Sequence, residues 1–214
     1  MRKELFYLIV LLGLGMMLAG CGSDSTAPDD QLPAPTAEDV ATQSGAMAST
    51  MMRALPRIWD PTTTKDNGEY TYTFTSGPVL GTIMSEFRDA EGGSLVDYDV
   101  AAWCRIFTGD PLAVTLVDGG VAWQLGFNLT ADINQGADTA TAAGGGSLVV
   151  GDYTATFTLA AVVVHQGDDY PASGTITFVN EGITATVTFD GDAMVTVTVG
   201  DDSWTIDLDD GSIS

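Results

Sequence analysis

From Glu69 to Leu208, the sequence repeatedly places an apolar side chain at every second position and threonine at many positions between. A period of two residues is that of a β-strand with one buried face and one face in water, and threonine suits the wet face. This pattern therefore predicts a mainly β fold. The clearest runs are Tyr70–Thr75, Val121–Thr130, Tyr153–Leu159, Ile183–Phe189, Val195–Val199 and Trp204–Leu208.

The links between the last strands are short: Asn180-Glu181-Gly182, Asp190-Gly191-Asp192 and Gly200-Asp201-Asp202. They have the length and composition of hairpin turns, so the last four strands are predicted to form an antiparallel meander. All runs together predict about nine or ten strands in one meander sheet, open, curled or barrel-like. Leu159–Val164 is apolar at every position, which predicts a central strand covered on both faces.

Residues 36–55 predict one amphipathic helix that packs on the sheet. Thr36 and Asp39 have the spacing of a capping box, and Pro56 should end the helix. Gly45 lies within this segment and weakens its helix propensity. The apolar residues of one helix stripe are Val40, Met47, Met51 and Leu55.

The division of the chain follows from its composition. Residues 21–35 are mostly Ser, Asp, Pro and Ala, which indicates a flexible tether. Residues 36–214 are predicted to form a single β-rich domain. A Thr- and Ala-rich segment from Asp132 is predicted as a loop, and Gly144-Gly145-Gly146 after it is the one internal candidate for a boundary.

Residues 1–20 have the parts of a secretory signal peptide. Arg2 and Lys3 give a positive start, and an uncharged, mostly apolar run follows from Leu5 to Gly20. Sixteen helical residues extend only about 24 Å, which is less than the roughly 30 Å of a bilayer core. We therefore expect a cleaved leader rather than a membrane span.

Leu18-Ala19-Gly20-Cys21 resembles the lipobox of bacterial lipoproteins, and the match covers residues 1–21 only. The resemblance implies cleavage after Gly20, a thioether between Cys21 and diacylglycerol, and an acyl chain such as palmitate on the new amino terminus. Two or more acyl chains would hold the protein stably on a bilayer. Gly22, where an aspartate would imply retention at the inner membrane, favours the outer membrane and the periplasm.

The chain is strongly acidic, with 29 Asp and Glu against 7 Lys and Arg and a net charge of −22. No Lys or Arg follows Arg105. Such a charge disfavours nucleic acid and anionic lipid surfaces as partners, since both require basic patches. A covalent lipid anchor suits this body better than electrostatic adhesion.

Two interpretations of the aspartates in the last turns remain open. Asp and Gly are the residues that hairpin turns require, and several carboxylates in one place are also what Ca²⁺ binds. The calcium candidates are Asp190, Asp192, Asp201 and Asp202.

No pattern of catalytic residues is visible. Cys104 alternates with Ala102 and Ile106, which predicts a buried structural thiol. His165 is the one histidine, so a zinc site lacks partners, and we expect a strand-end residue in water rather than a base oriented by Asp168. The sequence therefore predicts neither an enzyme nor a cofactor beyond the acyl groups.

Three functions remain. The first is a non-enzymatic cell-envelope lipoprotein that binds the lipid bilayer through Cys21 and presents its β domain to an envelope protein or another partner. The second is a periplasmic carrier or sensor of an apolar ligand, and the third is calcium-dependent folding or adhesion. The carrier pocket would be lined by Met47, Met51, Leu55, Trp123, Phe127 and Phe157.

Overall fold

The computed structural model describes residues 36–54, 62–66, 69–75, 79–91, 93–97, 100–110, 114–118, 121–150, 153–165, 167–209 and 212–213. These residues form one helix, α1 (Ala37–Ala54), and twelve strands. The strands are β1 (Thr62–Asp66), β2 (Glu69–Phe74), β3 (Val79–Arg88), β4 (Trp103–Phe107), β5 (Val114–Asp118), β6 (Val121–Asn134), β7 (Thr139–Val150), β8 (Tyr153–His165), β9 (Ser173–Asn180), β10 (Ile183–Phe189), β11 (Met194–Val199) and β12 (Asp202–Asp207).

All twelve strands belong to one antiparallel sheet, which confirms the predicted mainly β fold. Its order follows the chain from β1 to β12, and β4 and β5 share one position between β3 and β6. The described strands show no pairing between β1 and β12. The predicted meander of β9 to β12 is confirmed, and Gly182, Gly191 and Gly200 have positive φ in its turns, as tight hairpins require.

The predicted strand count of nine or ten is too low, and the boundary candidate at Gly144-Gly145-Gly146 is wrong. These glycines lie inside β7, between β6 and β8, so the predicted loop from Asp132 is β-strand on both sides of a short turn. A Cβ on Gly146 would lie 2.7 Å from the Phe157 ring and would also overlap the Gly126 carbonyl oxygen. The glycine therefore permits an aromatic ring to lie over the strand.

One face of the sheet carries the core. Buried apolar side chains come from each of the strands β2 to β12 and join α1 in a single cluster, whose largest fully buried members are Phe87, Phe178, Ile83, Ile106 and Leu125. On β8, Ala155, Phe157 and Leu159 are buried, whereas the threonines between them are exposed. The inner face is thus apolar, and the outer face is rich in threonine.

The prediction that Leu159–Val164 is covered on both faces is wrong. The segment lies in a central strand, but Ala160 and Ala161 are exposed. The β8–β9 register shifts between Ala160 and Val163, and Ala161 has a φ of 49°. A bulge here inserts an extra residue, so two consecutive residues meet solvent before Val162 returns to the core.

The helix begins at the predicted capping box. The Thr36 backbone N–H donates to Asp39 Oδ2 at 2.9 Å, and the Asp39 N–H donates to Thr36 Oγ1 at 3.1 Å. The helix packs on β10, β11 and β12, with Val40 and Ser44 fully buried. Gly45 faces the side chain of Ile206, where a Cβ would overlap it, so this glycine permits close packing. Within the described residues, no helix has the length and apolar character needed to cross a bilayer.

Candidate binding cleft on the outer face

The outer face carries aromatic and charged side chains where β3, β4 and β6 run side by side. On β4, Cys104 and Ile106 point into the core, so Trp103, Arg105 and Phe107 point outward and are half-buried. On β8 to β11, by contrast, most outward positions carry threonine. This part of the sheet therefore offers aromatic and charged groups in place of small hydroxyl groups.

The strand register aligns three different side chains in one row. Arg88 of β3 is paired with Trp103 of β4, and Trp103 is paired with Asp132 of β6. Because neighbouring strands lie about 4.8 Å apart, the backbones of the two flanking residues are separated by roughly 10 Å. Trp103 is thus the middle residue of a row that Arg88 and Asp132 flank.

Glu86 joins the two arginines of this region. Its Oε2 lies 3.2 Å from Arg88 Nη2, and its Oε1 lies 3.7 Å from Arg105 Nη1. Arg105 Nε also donates to Asn128 Oδ1 at 2.8 Å, and its guanidinium carbon lies 4.3 Å from the centre of the Phe107 ring. These contacts restrict both cations, and Arg88 keeps further N–H groups for a ligand.

The segment after β3 folds back, and its residues 89–91 and 93–94 form a wall beside this row. The Asp89 N–H donates to the Ser94 carbonyl at 3.2 Å, and Gly93 N–H donates to Asp89 Oδ1 at 3.1 Å. Arg88 Nη1 donates to the Gly93 carbonyl at 3.4 Å, which ties the wall to β3. On the other side, the Ala102 N–H donates to the Arg88 carbonyl at 3.0 Å.

The wall and the sheet enclose a surface cleft of about 420 Å³, which we call the Trp103 cleft. A cleft of this size is sufficient for a small ligand. Its lining offers carboxylates, one guanidinium, an indole and two methyl groups, so it can donate and accept hydrogen bonds around an aromatic surface. The lining residues are Arg88, Asp89, Ala90, Glu91, Ala102, Trp103 and Asp132.

Cys104 lies on the opposite face of β4 and is fully buried, as the alternation predicted. Burial raises the pKa of its thiol to about 12. At neutral pH the thiol is protonated and out of contact with solvent. It therefore belongs to the core and not to the cleft.

The carrier pocket is only partly described. Phe127 and Phe157 are buried on the inner face, on β6 and β8, while the main contacts of α1 are with β10, β11 and β12. The side chains of Met47, Met51 and Trp123 lie outside the described part of the chain, as does the whole of Leu55.

The four calcium candidates do not meet at one point. Asp190 and Asp192 lie in the turn before β11, whereas Asp201 and Asp202 lie at its other end, about 20 Å away for a six-residue strand. Asp190 Oδ1 accepts the N–H of Asp192 at 3.2 Å, which is a turn contact. Among the described residues, no group of three or more His, Cys, Asp or Glu side chains is arranged to hold a metal ion.

His165 and Cys21 are the two remaining candidate residues from the sequence. His165 ends β8 with its side chain exposed, and its carbonyl accepts the Asp168 N–H at 3.3 Å. Cys21, the predicted lipidation site, lies outside the described residues.

The sequence did not single out the residues that line the Trp103 cleft. One signal was present: alternation through Cys104 places Trp103 and Arg105 on the outer face, and Arg88 and Arg105 are the last Lys or Arg residues of the chain. Their alignment with Asp132 depends on a register across three strands, which periodicity does not specify.

Comparison with known proteins adds no family to this picture. No protein-family model matches the chain, and no curated protein or solved structure matches it. The candidate site therefore rests on the geometry described above.

Proposed function

We propose that this protein is a lipid-anchored, non-enzymatic binding domain of the bacterial cell envelope, held through Cys21 and contacting its ligand at the Trp103 cleft. The lipobox-like Leu18–Cys21 segment supports the anchor, and the residues that follow provide the tether. Gly22 favours an outer-membrane anchor with the domain in the periplasm.

The observation that carries the binding role is the cleft itself. Two of its polar groups are oriented before a ligand arrives, since Arg88 is held by Glu86 and by the Gly93 carbonyl, and Asp89 Oδ1 accepts the Gly93 N–H. Groups that are already oriented lose little conformational entropy on binding. The cleft lies on the outer face of the sheet, so a ligand can reach it without opening the core.

The anchor is tested with the two cysteines as a matched pair. The full chain is expressed with its leader in a two-membrane bacterium that is fed a palmitate analogue carrying a chemical tag. We expect the wild type and Cys104→Ala to incorporate the tag and to sediment with membranes. Cys21→Ala should incorporate none and should keep residues 1–20. Equal labelling of Cys21→Ala and the wild type would refute the anchor.

A second candidate, the carrier of an apolar ligand, is favoured by two buried hydroxyl groups. Within the described residues, Ser44 Oγ of α1 and Ser85 Oγ of β3 are buried and have no hydrogen-bond partner. A buried polar atom without a protein partner is costly, and either an ordered water or a polar group on a bound ligand would relieve that cost. Native mass spectrometry of the protein extracted from membranes tests this role: a non-covalent lipid adduct supports it, and a bare protein mass refutes it.

A further inference from the structure

We infer that the Trp103 cleft binds a carbohydrate, a neutral ligand that carries several hydroxyl groups on a ring with an apolar face. This inference deepens the proposed function and rests on its assignment of ligand binding to the cleft. It is carried by the shape of the cleft, by the sign of the charges around it and by the position of the indole.

The charges around the cleft disfavour anionic ligands. Arg88 contributes a cation, whereas Asp89, Glu91 and Asp132 contribute carboxylates. An anionic ligand would meet three carboxylates on a chain of net charge −22. A compact cation would be attracted by the three carboxylates but would meet the Arg88 guanidinium beside the same indole, so choline is included among the ligands tested.

A hydroxyl group suits this mixed lining because it both donates and accepts hydrogen bonds. Sugar hydroxyls can donate to the carboxylates of Asp89, Glu91 and Asp132, and they can accept from the free N–H groups of Arg88. Hydrogen bonds to charged partners are stronger than those between neutral groups. The spread of these groups around the cleft matches a ligand with polar groups on several sides.

Trp103 supplies the surface on which a sugar ring would lie. It is the middle residue of the row, with Arg88 on one neighbouring strand and Asp132 on the other. Aromatic side chains with a wet edge bind partners that are apolar on one face and polar on the rim. The C–H groups on one face of a sugar ring form such an apolar surface, and its hydroxyls form the polar rim.

The rest of the lining is small. Ala90 and Ala102, the remaining lining residues, contribute only methyl groups to the cleft of about 420 Å³. That volume lies within the range of natural small-ligand sites, which is roughly 300 to 1,000 Å³.

The test uses the full chain, extracted from membranes and kept in detergent micelles. It is applied to an array of neutral oligosaccharides that includes glucose, xylose, mannose and N-acetylglucosamine polymers, and the strongest binder is then titrated by calorimetry. We expect at least one oligosaccharide to bind and Trp103→Ala to weaken that binding about tenfold or more. Trp103→Phe, which keeps a ring, should weaken it less.

Phe107→Ala is the matched control, because Phe107 lies on the same strand and the same face but does not line the cleft. It should leave the affinity within about twofold of the wild type. Circular dichroism spectra that match the wild type establish that each variant is folded.

Three results would overturn the inference. One is the absence of binding to every oligosaccharide on the array. Another is binding that Trp103→Ala and Phe107→Ala weaken equally. The third is cleft-dependent binding of choline or inorganic phosphate with no sugar bound. The third result would leave the proposed binding function standing and would change only the ligand class, and failure of the Cys21 labelling would remove the anchor alone.

Discussion

The close packing of α1 on the sheet predicts that the substitution Gly45→Ala lowers the free energy of unfolding. Gly45 lies in the helix and faces Ile206 of β12, which is fully buried. An added Cβ would overlap the end of the Ile206 side chain and would lie within 2.8 Å of its Cγ2 atom. Either the isoleucine or the helix must then shift.

Two opposing effects set how much Gly45→Ala changes the free energy of unfolding. Alanine in a helix is favoured over glycine by about 1 kcal/mol. Overpacking a tight core contact costs about 1 to 3 kcal/mol. We therefore expect the free energy of unfolding to fall by roughly 1 kcal/mol, although the same substitution in an exposed helix would raise it by about as much.

Urea unfolding of the full chain in detergent micelles, followed by circular dichroism, measures this change. Thr42→Ala is the control, because Thr42 is exposed on the same helix, and it should raise the free energy of unfolding by about 0.5 kcal/mol. Ile206→Val alone should lower the free energy of unfolding by about 0.5 to 1.5 kcal/mol. In the Gly45→Ala background the loss should be smaller, because the substitution removes the methyl group that the new Cβ overlaps. Stabilisation by Gly45→Ala, with no coupling to Ile206, would refute the packing of α1 on β12.

Three other predictions follow from single sites. In the native protein at pH 8, Cys104 should not react with a thiol reagent, and it should react fully in urea; fast reaction of the native thiol would contradict its burial. The Tyr170 hydroxyl donates to Asp209 Oδ1 at 2.5 Å, and this bond raises the pKa of Tyr170 to about 12. The bond should therefore stabilise the fold fully below pH 10 and be lost as the pH rises through about 12. The difference in the free energy of unfolding between the wild type and Tyr170→Phe should shrink across that interval. A difference that stays constant with pH would count against the bond. A calcium chelator should leave the melting temperature unchanged, because the two pairs of candidate aspartates lie at opposite ends of β11, and a fall of several degrees would restore a calcium role.

Much of the sheet could be predicted because its strands have large side chains on one face and hairpin turns between them. The strand β7 was missed for a physical reason. Its inward residues Ala140 and Ala142 are small, and Gly144 to Gly146 carry no side chain, so no strong period of two appears. The long strands β6 and β8 pair with β7 on its two sides, and this pairing overrides the weak β propensity of the segment.

The Trp103 cleft could not be predicted from the sequence because it depends on strand register. A shift of one residue would move Trp103 from the outer face to the core, and the pattern in β4 excludes that shift. The pattern does not specify which residues of β3 and β6 lie opposite Trp103. The places of Arg88 and Asp132 depend on the segments that join β4 to β3 and to β6, the second of which contains β5.

Whether Cys21 holds this protein on a membrane is measured by the mass of the amino-terminal peptide of the protein extracted from membranes. We expect a chain that begins at Cys21 and carries a diacylglyceryl thioether and an acyl group on its amino terminus. A peptide that begins elsewhere, or a Cys21 with no added acyl mass, would contradict it.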